Sequence, residues 1–106
     1  MNREIYTGPP LFDVTGQIMK NGKPAAGVAV VFEPINGGTE DPRTSSTATS
    51  DVEGKYRLIY LNFPGAPAGD YRVMLTSEMG TPISQAGGMK EFRITEKGPN
   101  EFKIDI

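Results

Sequence analysis

The chain has 106 residues and a net charge of −2, with both signs of charge scattered along it. This length corresponds to one domain with one core. Because no basic run or stripe is present, we expect no nucleic-acid partner. Cysteine and histidine are both absent, which removes thiolate chemistry, the most common general base and the most common metal ligand. No stretch approaches the about 18 apolar residues of a membrane span.

Short apolar alternations separated by turn residues dominate the sequence. The chain contains 13 glycines and 9 prolines, and no window shows a helical period, so the pattern predicts an all-β protein. Residues 1–10 are interpreted as a flexible lead-in and residues 11–106 as a single domain. The predicted strands cover residues 11–19, 28–33, 44–50, 55–61, 70–76, 91–95 and 101–106.

Each of these strands except the polar strand 44–50 carries large apolar side chains on one face. So many apolar faces cannot all be buried by one flat sheet, whereas two packed sheets bury them. The alternation with polar outer faces is typical of antiparallel pairing. The sequence therefore predicts a seven-stranded antiparallel β-sandwich, with the polar strand 44–50 near an edge.

One acidic segment, Asp51-Val52-Glu53-Gly54, has two interpretations. Asp at the first position and Gly at the fourth are the preferences of a type I turn, in which the Asp side chain accepts from a backbone N–H two residues on. The alternative is a calcium site that shares Glu40 and Asp41 from another loop. The spacing of carboxylates does not match a calcium loop, so the sequence favours the turn and predicts no metal site.

Three stretches, "DVTGQIMKNGKPAAGVAVVFEP", "TATSDVEGKYRL" and "PAGDYRVMLT", follow one another in a recognisable order. Their motifs resemble those of the carboxypeptidase regulatory-like, or transthyretin-like, β-sandwich family. Ser50 is inserted before Asp51, and Ala68 replaces the usual proline. The matching residues are Val14, Gly16, Ile18, Gly22, Lys23, Pro24, Gly27, Val30, Phe32, Thr49, Gly54, Tyr56, Leu58, Gly69, Tyr71 and Val73.

The resemblance implies an Ig-like or transthyretin-like sandwich. It also implies a non-catalytic accessory module of an exported or cell-surface bacterial protein, with an extracytoplasmic location. One transthyretin-like branch hydrolyses 5-hydroxyisourate with histidines and a C-terminal Tyr-Arg-Gly-Ser. This sequence has no histidine and ends in Lys-Ile-Asp-Ile, so a hydrolase is the less favoured alternative. We expect no enzymatic activity and no cofactor.

On the outer face of the predicted strand 55–61, the two aliphatic residues Ile59 and Leu61 lie beside Arg57. Two exposed aliphatic residues there indicate a partner or self-association surface, unless the loop 77–90 covers them. Tyr60 and Phe63 flank the start of the loop 62–69 and provide the alternative hypothesis of a carbohydrate-binding module, in which both rings stack on sugars. Loops 36–43, 62–69 and 77–90 are further candidate contact surfaces. The expected partner is another protein or a cell-surface component such as a polysaccharide.

Overall fold

The computed structural model describes residues 9–35, 45–85 and 87–106. All regular structure within these ranges is β. The twelve strands are β1 (Leu11–Phe12), β2 (Val14–Lys20), β3 (Lys23–Pro24), β4 (Ala29–Pro34), β5 (Ser46–Thr49), β6 (Lys55–Arg57), β7 (Ile59–Tyr60), β8 (Phe63–Pro64), β9 (Ala66–Pro67), β10 (Gly69–Thr76), β11 (Glu91–Ile94) and β12 (Asn100–Asp105).

Two main sheets bury one core between them. The larger sheet has six strands in the order β11-β10-β4-β5-β7-β8, and the smaller has the order β12-β2-β3 with β6 also paired to β2. A separate two-stranded pair is formed by β1 and β9. The prediction of an all-β sandwich is confirmed. The predicted lead-in, apart from Pro9 and Pro10, lies outside the described residues.

Two details of the predicted sandwich are wrong. Among the described strands, β2 and β12 pair in parallel, with Gly16 opposite Phe102, whereas antiparallel pairing was predicted. Alternation reports which face is buried and not the direction of the neighbouring strand, so it cannot separate the two cases. Strand β5 lies between β4 and β7 rather than near an edge. Its polar Thr47 and Thr49 are exposed on the outer face of the sheet, so its polar residues do not require an edge position.

The strand number differs from seven for a structural reason. The predicted strand 55–61 divides at Leu58, whose N–H donates to the carbonyl of Val14. There the chain passes from the smaller sheet, through β6, to the larger sheet, through β7. The predicted strand 11–19 divides in the same way at Asp13, and three two-residue strands (β3, β8 and β9) form in segments predicted as turns or loops.

Aromatic packing holds the two sheets together. The ring of Phe32 on β4 lies between 5.9 and 6.3 Å, centroid to centroid, from the rings of Tyr56, Tyr71, Phe92 and Phe102. Phe92 and Phe102 stack on each other at 4.4 Å. These rings come from both sheets, so their contacts fix the distance and orientation between the layers.

A buried hydroxyl fastens the start of β10. The Oη of Tyr71 donates to the carbonyl of Pro67, four residues earlier, at 2.7 Å. This link has the form of the tyrosine corner found in Greek-key sandwiches. It holds β9 against β10 and keeps the polar end of a fully buried ring satisfied.

No helix in residues 9–35, 45–85 and 87–106 is long and apolar enough to cross a membrane.

Candidate interaction surface

The strand segment 55–61 alternates as the sequence predicts. Tyr56, Leu58 and Tyr60 point into the core and are at most 3% exposed, whereas Ile59 is 47% exposed and Leu61 58%. Arg57 is also exposed. Three of the five predicted surface residues, Arg57, Ile59 and Leu61, are therefore exposed, with Arg57 on the smaller sheet and Ile59 on the larger.

The other two predicted surface residues behave differently. Tyr60 is 2% exposed, so its prediction as a surface residue is wrong: its place in the strand turns the ring into the core. Phe63 is half-buried. A buried ring cannot stack on a sugar, and the carbohydrate-binding alternative loses one of its two residues.

Pairing across the larger sheet extends the exposed strand into a wider face. Ile59 lies opposite Thr47 on β5, Thr47 opposite Val31 on β4, and Val31 opposite Met74 on β10. Pro64 on β8 continues the line on the other side of Ile59. We call this line of five residues the apolar row: Met74, Val31, Thr47, Ile59 and Pro64.

The sequence analysis missed Val31 and Met74, although it placed both on strands. Their neighbours Val30, Phe32, Val73 and Leu75 are core residues, so Val31 and Met74 must point outwards by alternation. An apolar residue at such a position on three different strands was the available signal. Recognising it as one surface needs the cross-strand register, which the sequence does not contain.

One cross-strand row of side chains lies on each side of the apolar row. On strands β10 and β4 these two rows contain no unpaired charge. On one side stand the uncharged Thr76, Ala29 and Thr49, in register with one another. On the other side, Arg72 forms an ion pair with Glu33 at 3.5 Å. We call the apolar row and these two flanking rows the outer face.

A second ion pair follows beyond Arg72. Arg93 on β11 donates to both carboxylate oxygens of Asp70, at 2.8 and 3.3 Å. This hydrogen-bonded contact raises the pKa of Arg93 above its ordinary value. Glu91 on β11 lies opposite Arg72 on its other side, so this border carries two cations and three anions.

The described residues of the loop 77–90, which leave out residue 86, do not cover the exposed residues of β7. Its residue Ile83 donates its N–H to the carbonyl of Leu75, and the side chain of Gln85 donates to the carbonyl of Val73. The loop thus runs along β10, three positions away from β7 in the sheet order. The alternative in which this loop hides Ile59 and Leu61 is contradicted by their exposure.

Leu61 occupies an unfavourable backbone conformation. It forms with Asn62 the two-residue turn between β7 and β8, and their φ values are 47° and 69°. Two successive positive φ values define a type I′ hairpin turn, which favours Asn and Gly. The turn at Asn21-Gly22 has the same form, with φ of 52° and 80°. Leucine at such a position is exposed and strained.

A groove of about 780 Å³ is lined mainly by the smaller sheet, where it adjoins Arg57, and reaches Ile59 of the larger sheet. Two cross-strand rows of polar side chains line it: Glu101, Thr15 and Arg57 form one row, and Lys103, Gln17 and Lys55 form the other. Its charges are mixed, and Arg57 is held by Asp13 at 2.7 Å. The groove therefore offers polar contacts but no field of a single sign.

The acidic segment forms the predicted turn. Oδ1 of Asp51 accepts from the N–H groups of Glu53 and Lys55, both at 2.9 Å, and its carbonyl accepts from Gly54. Gly54 has a φ of 75°, as the turn requires. In the described part of the chain no group of three or more His, Cys, Asp or Glu could hold a metal ion. Glu40 and Asp41 of the calcium alternative lie outside the described residues.

No model of a known protein family matches the sequence, and no curated protein matches it significantly. Fold and surface therefore define the class by themselves: an all-β sandwich with an exposed, largely uncharged sheet face.

Proposed function

We propose that the chain is a non-catalytic β-sandwich module of an exported or cell-surface bacterial protein, and that it mediates protein–protein contact or scaffolding. The observation that carries this proposal is the exposure of Ile59 and Leu61 on a face of the larger sheet that the rest of the described chain leaves uncovered. Contact with a partner would remove this apolar surface from water, at a gain of about 25 cal/mol per Å².

The composition of the outer face supports a protein partner. Interface cores are depleted in charged residues and enriched in Met, aromatic residues and Arg. The apolar row contains no ionisable side chain, includes Met74, and has Arg57 nearby. An exposed sheet face with these residues is better suited to another protein surface than to a small molecule, which needs a concave site.

The motif resemblance supports the placement on an exported bacterial protein, since domains of the resembling family are found there. The motif residues themselves have structural roles in this chain: Tyr56 and Tyr71 anchor strands, and Gly54 forms a turn. The resemblance therefore supports the fold and the exported or cell-surface location, whereas the exposed residues identify the contact surface.

The non-catalytic part of the proposal rests on the available side chains. The sequence has no histidine and no cysteine, so its serines lack the usual base that activates a nucleophile. The acidic turn at residues 51–54 uses its Asp51 carboxylate to accept hydrogen bonds from backbone N–H groups.

In-cell crosslinking tests the proposal. The full chain, produced in a bacterial host, carries a photo-crosslinking amino acid in place of Leu61, and a control chain carries it in place of the exposed Lys97. We expect a discrete protein adduct at position 61 that is absent at position 97. Adducts of equal yield at both positions, or none at either, would contradict the proposal.

A further inference from the structure

We infer that the outer face is a self-association surface whose occupant is the same face of a second copy of this chain. The result is a dimer in which two six-stranded sheets pack face to face. This inference rests on the proposed contact function of Ile59 and Leu61 and names the partner.

The charge distribution is the first argument for a second copy. In a two-fold dimer each surface meets itself, so an uncompensated charge near the centre would face its own copy. The apolar row has no charge, and Arg72 is paired with Glu33. The remaining charge of that flanking row, Glu91, lies on the edge strand β11, away from the centre of the face. Like charges facing each other across an interface cost several kcal/mol, and this face avoids that cost. The net charge of −2 also keeps long-range repulsion between copies small.

The sheet edge next to this face argues for packing through the face. Strand β8 is the border strand of the larger sheet, and its Pro64 has no N–H to donate to an added strand. Proline on an edge strand hinders edge-to-edge pairing. Two copies that meet near Ile59 and Pro64 therefore pack through side chains rather than extend the sheet.

The dimensions of the face predict a weak dimer. Five strands spaced about 4.8 Å apart give the apolar row a length of about 19 Å. Three rows that alternate along the strands add a width of about 14 Å, and the area per copy is a few hundred Å². Stable complexes bury about 800 Å² per partner. We expect a concentration-dependent equilibrium rather than a permanent dimer.

Thr47 occupies the centre of the arrangement. It is the third of the five residues in the apolar row, and its side chain is exposed. When the two-fold axis crosses the middle of the row, Thr47 faces the Thr47 of the second copy. Two opposite charges at this position should therefore attract each other, and two like charges should repel.

Sedimentation equilibrium of the full chain, from micromolar to millimolar concentration, tests this inference. Thr47→Lys and Thr47→Glu should each weaken association at least about tenfold, and an equimolar mixture of the two should restore it. The matched control is the same pair of substitutions at Thr95, an exposed threonine in the turn before β12, which should associate like the wild type. Dispersed amide NMR spectra check that each variant is folded.

The inference is overturned if the wild type stays monomeric at millimolar concentration. It is also overturned if the Thr47 variants associate as the wild type does, or if their mixture is no better than either alone. A monomeric chain that still yields the adduct at position 61 with a different protein would overturn the dimer and leave the proposed contact function intact. A monomeric chain without that adduct would remove both.

Discussion

The ring of Tyr56 lies across Gly16, the residue opposite it on the neighbouring strand. Its Oη reaches beyond that strand and donates to the carbonyl of Phe102 at 2.7 Å. One side chain on β6 thus spans β2 and touches β12. A Cβ at Gly16 would overlap both the ring and the Phe102 carbonyl, so this strand position needs glycine because of a close approach.

Gly16→Ala should lower the free energy of unfolding by about 2–3 kcal/mol, since the methyl group forces the ring and a backbone carbonyl apart. The control is Gly22→Ala, where the added methyl meets open space and only the φ of 80° opposes it. Urea unfolding followed by circular dichroism measures both. A loss at Gly16 no larger than the loss at Gly22 would contradict the close approach.

Tyr56→Phe should cost about 1–2 kcal/mol, because the Phe102 carbonyl loses its donor inside the protein. Burial raises the pKa of Tyr56 above its ordinary value of 10.0. The protonated form is therefore favoured in the folded state, and the stability it contributes is complete below pH 10 and declines as the unfolded chain ionises above that pH.

The variant lacks this ionisable group, so the stability gap between wild type and Tyr56→Phe should narrow from about pH 10 upwards. Urea titrations at neutral pH and at about pH 11 measure the gap. A gap that is constant or widens would show that the hydroxyl is not held in its protonated form by the fold.

Leu61→Asn should raise the free energy of unfolding by about 1 kcal/mol, because Asn accepts the left-handed conformation that leucine adopts at a cost. The same substitution removes an exposed apolar side chain and should weaken self-association. Thermal unfolding and sedimentation report the two effects separately. Leu61→Val is the opposing control: a β-branched residue at a φ of 47° should destabilise the turn. A Leu61→Asn variant less stable than the wild type would refute the strain.

Asp51→Ala should destabilise the protein by about 1–2 kcal/mol, because two backbone N–H groups lose their acceptor. Asp51→Asn keeps an acceptor oxygen at the same place and should be nearly neutral. A calcium site would instead be damaged by both substitutions. Chemical denaturation with and without calcium distinguishes these cases. If calcium stabilises the wild type and both variants lose this effect, residues 51–54 form a metal site and not only a turn.

The alternation of side chains along the sequence predicts which face of each strand is buried. The positions of Tyr56, Leu58 and Tyr60, and the turn at Asp51–Gly54, follow from local alternation and local hydrogen bonding. These features depend on residues close in the sequence, and local preferences decide them.

Features that depend on distant partners were not accessible in this way. The division of the segment 55–61 at Leu58 depends on the carbonyl of Val14, and the apolar row depends on a register shared by β10, β4, β5, β7 and β8. The hypothesis that Tyr60 stacks on a sugar relies on its place beside the loop 62–69, although its alternation with Tyr56 and Leu58 places it in the core.

The parallel pairing of β2 with β12 sets an order of events during synthesis. Residues 14–19 leave the ribosome long before residues 100–105, with which they pair one for one. The smaller sheet therefore lacks a strand, and the carbonyl of Phe102 cannot receive the Tyr56 hydroxyl, until translation has passed Asp105. Contacts this remote in sequence close slowly. Deleting β12 would consequently remove a strand that the smaller sheet needs, rather than a dispensable terminal segment.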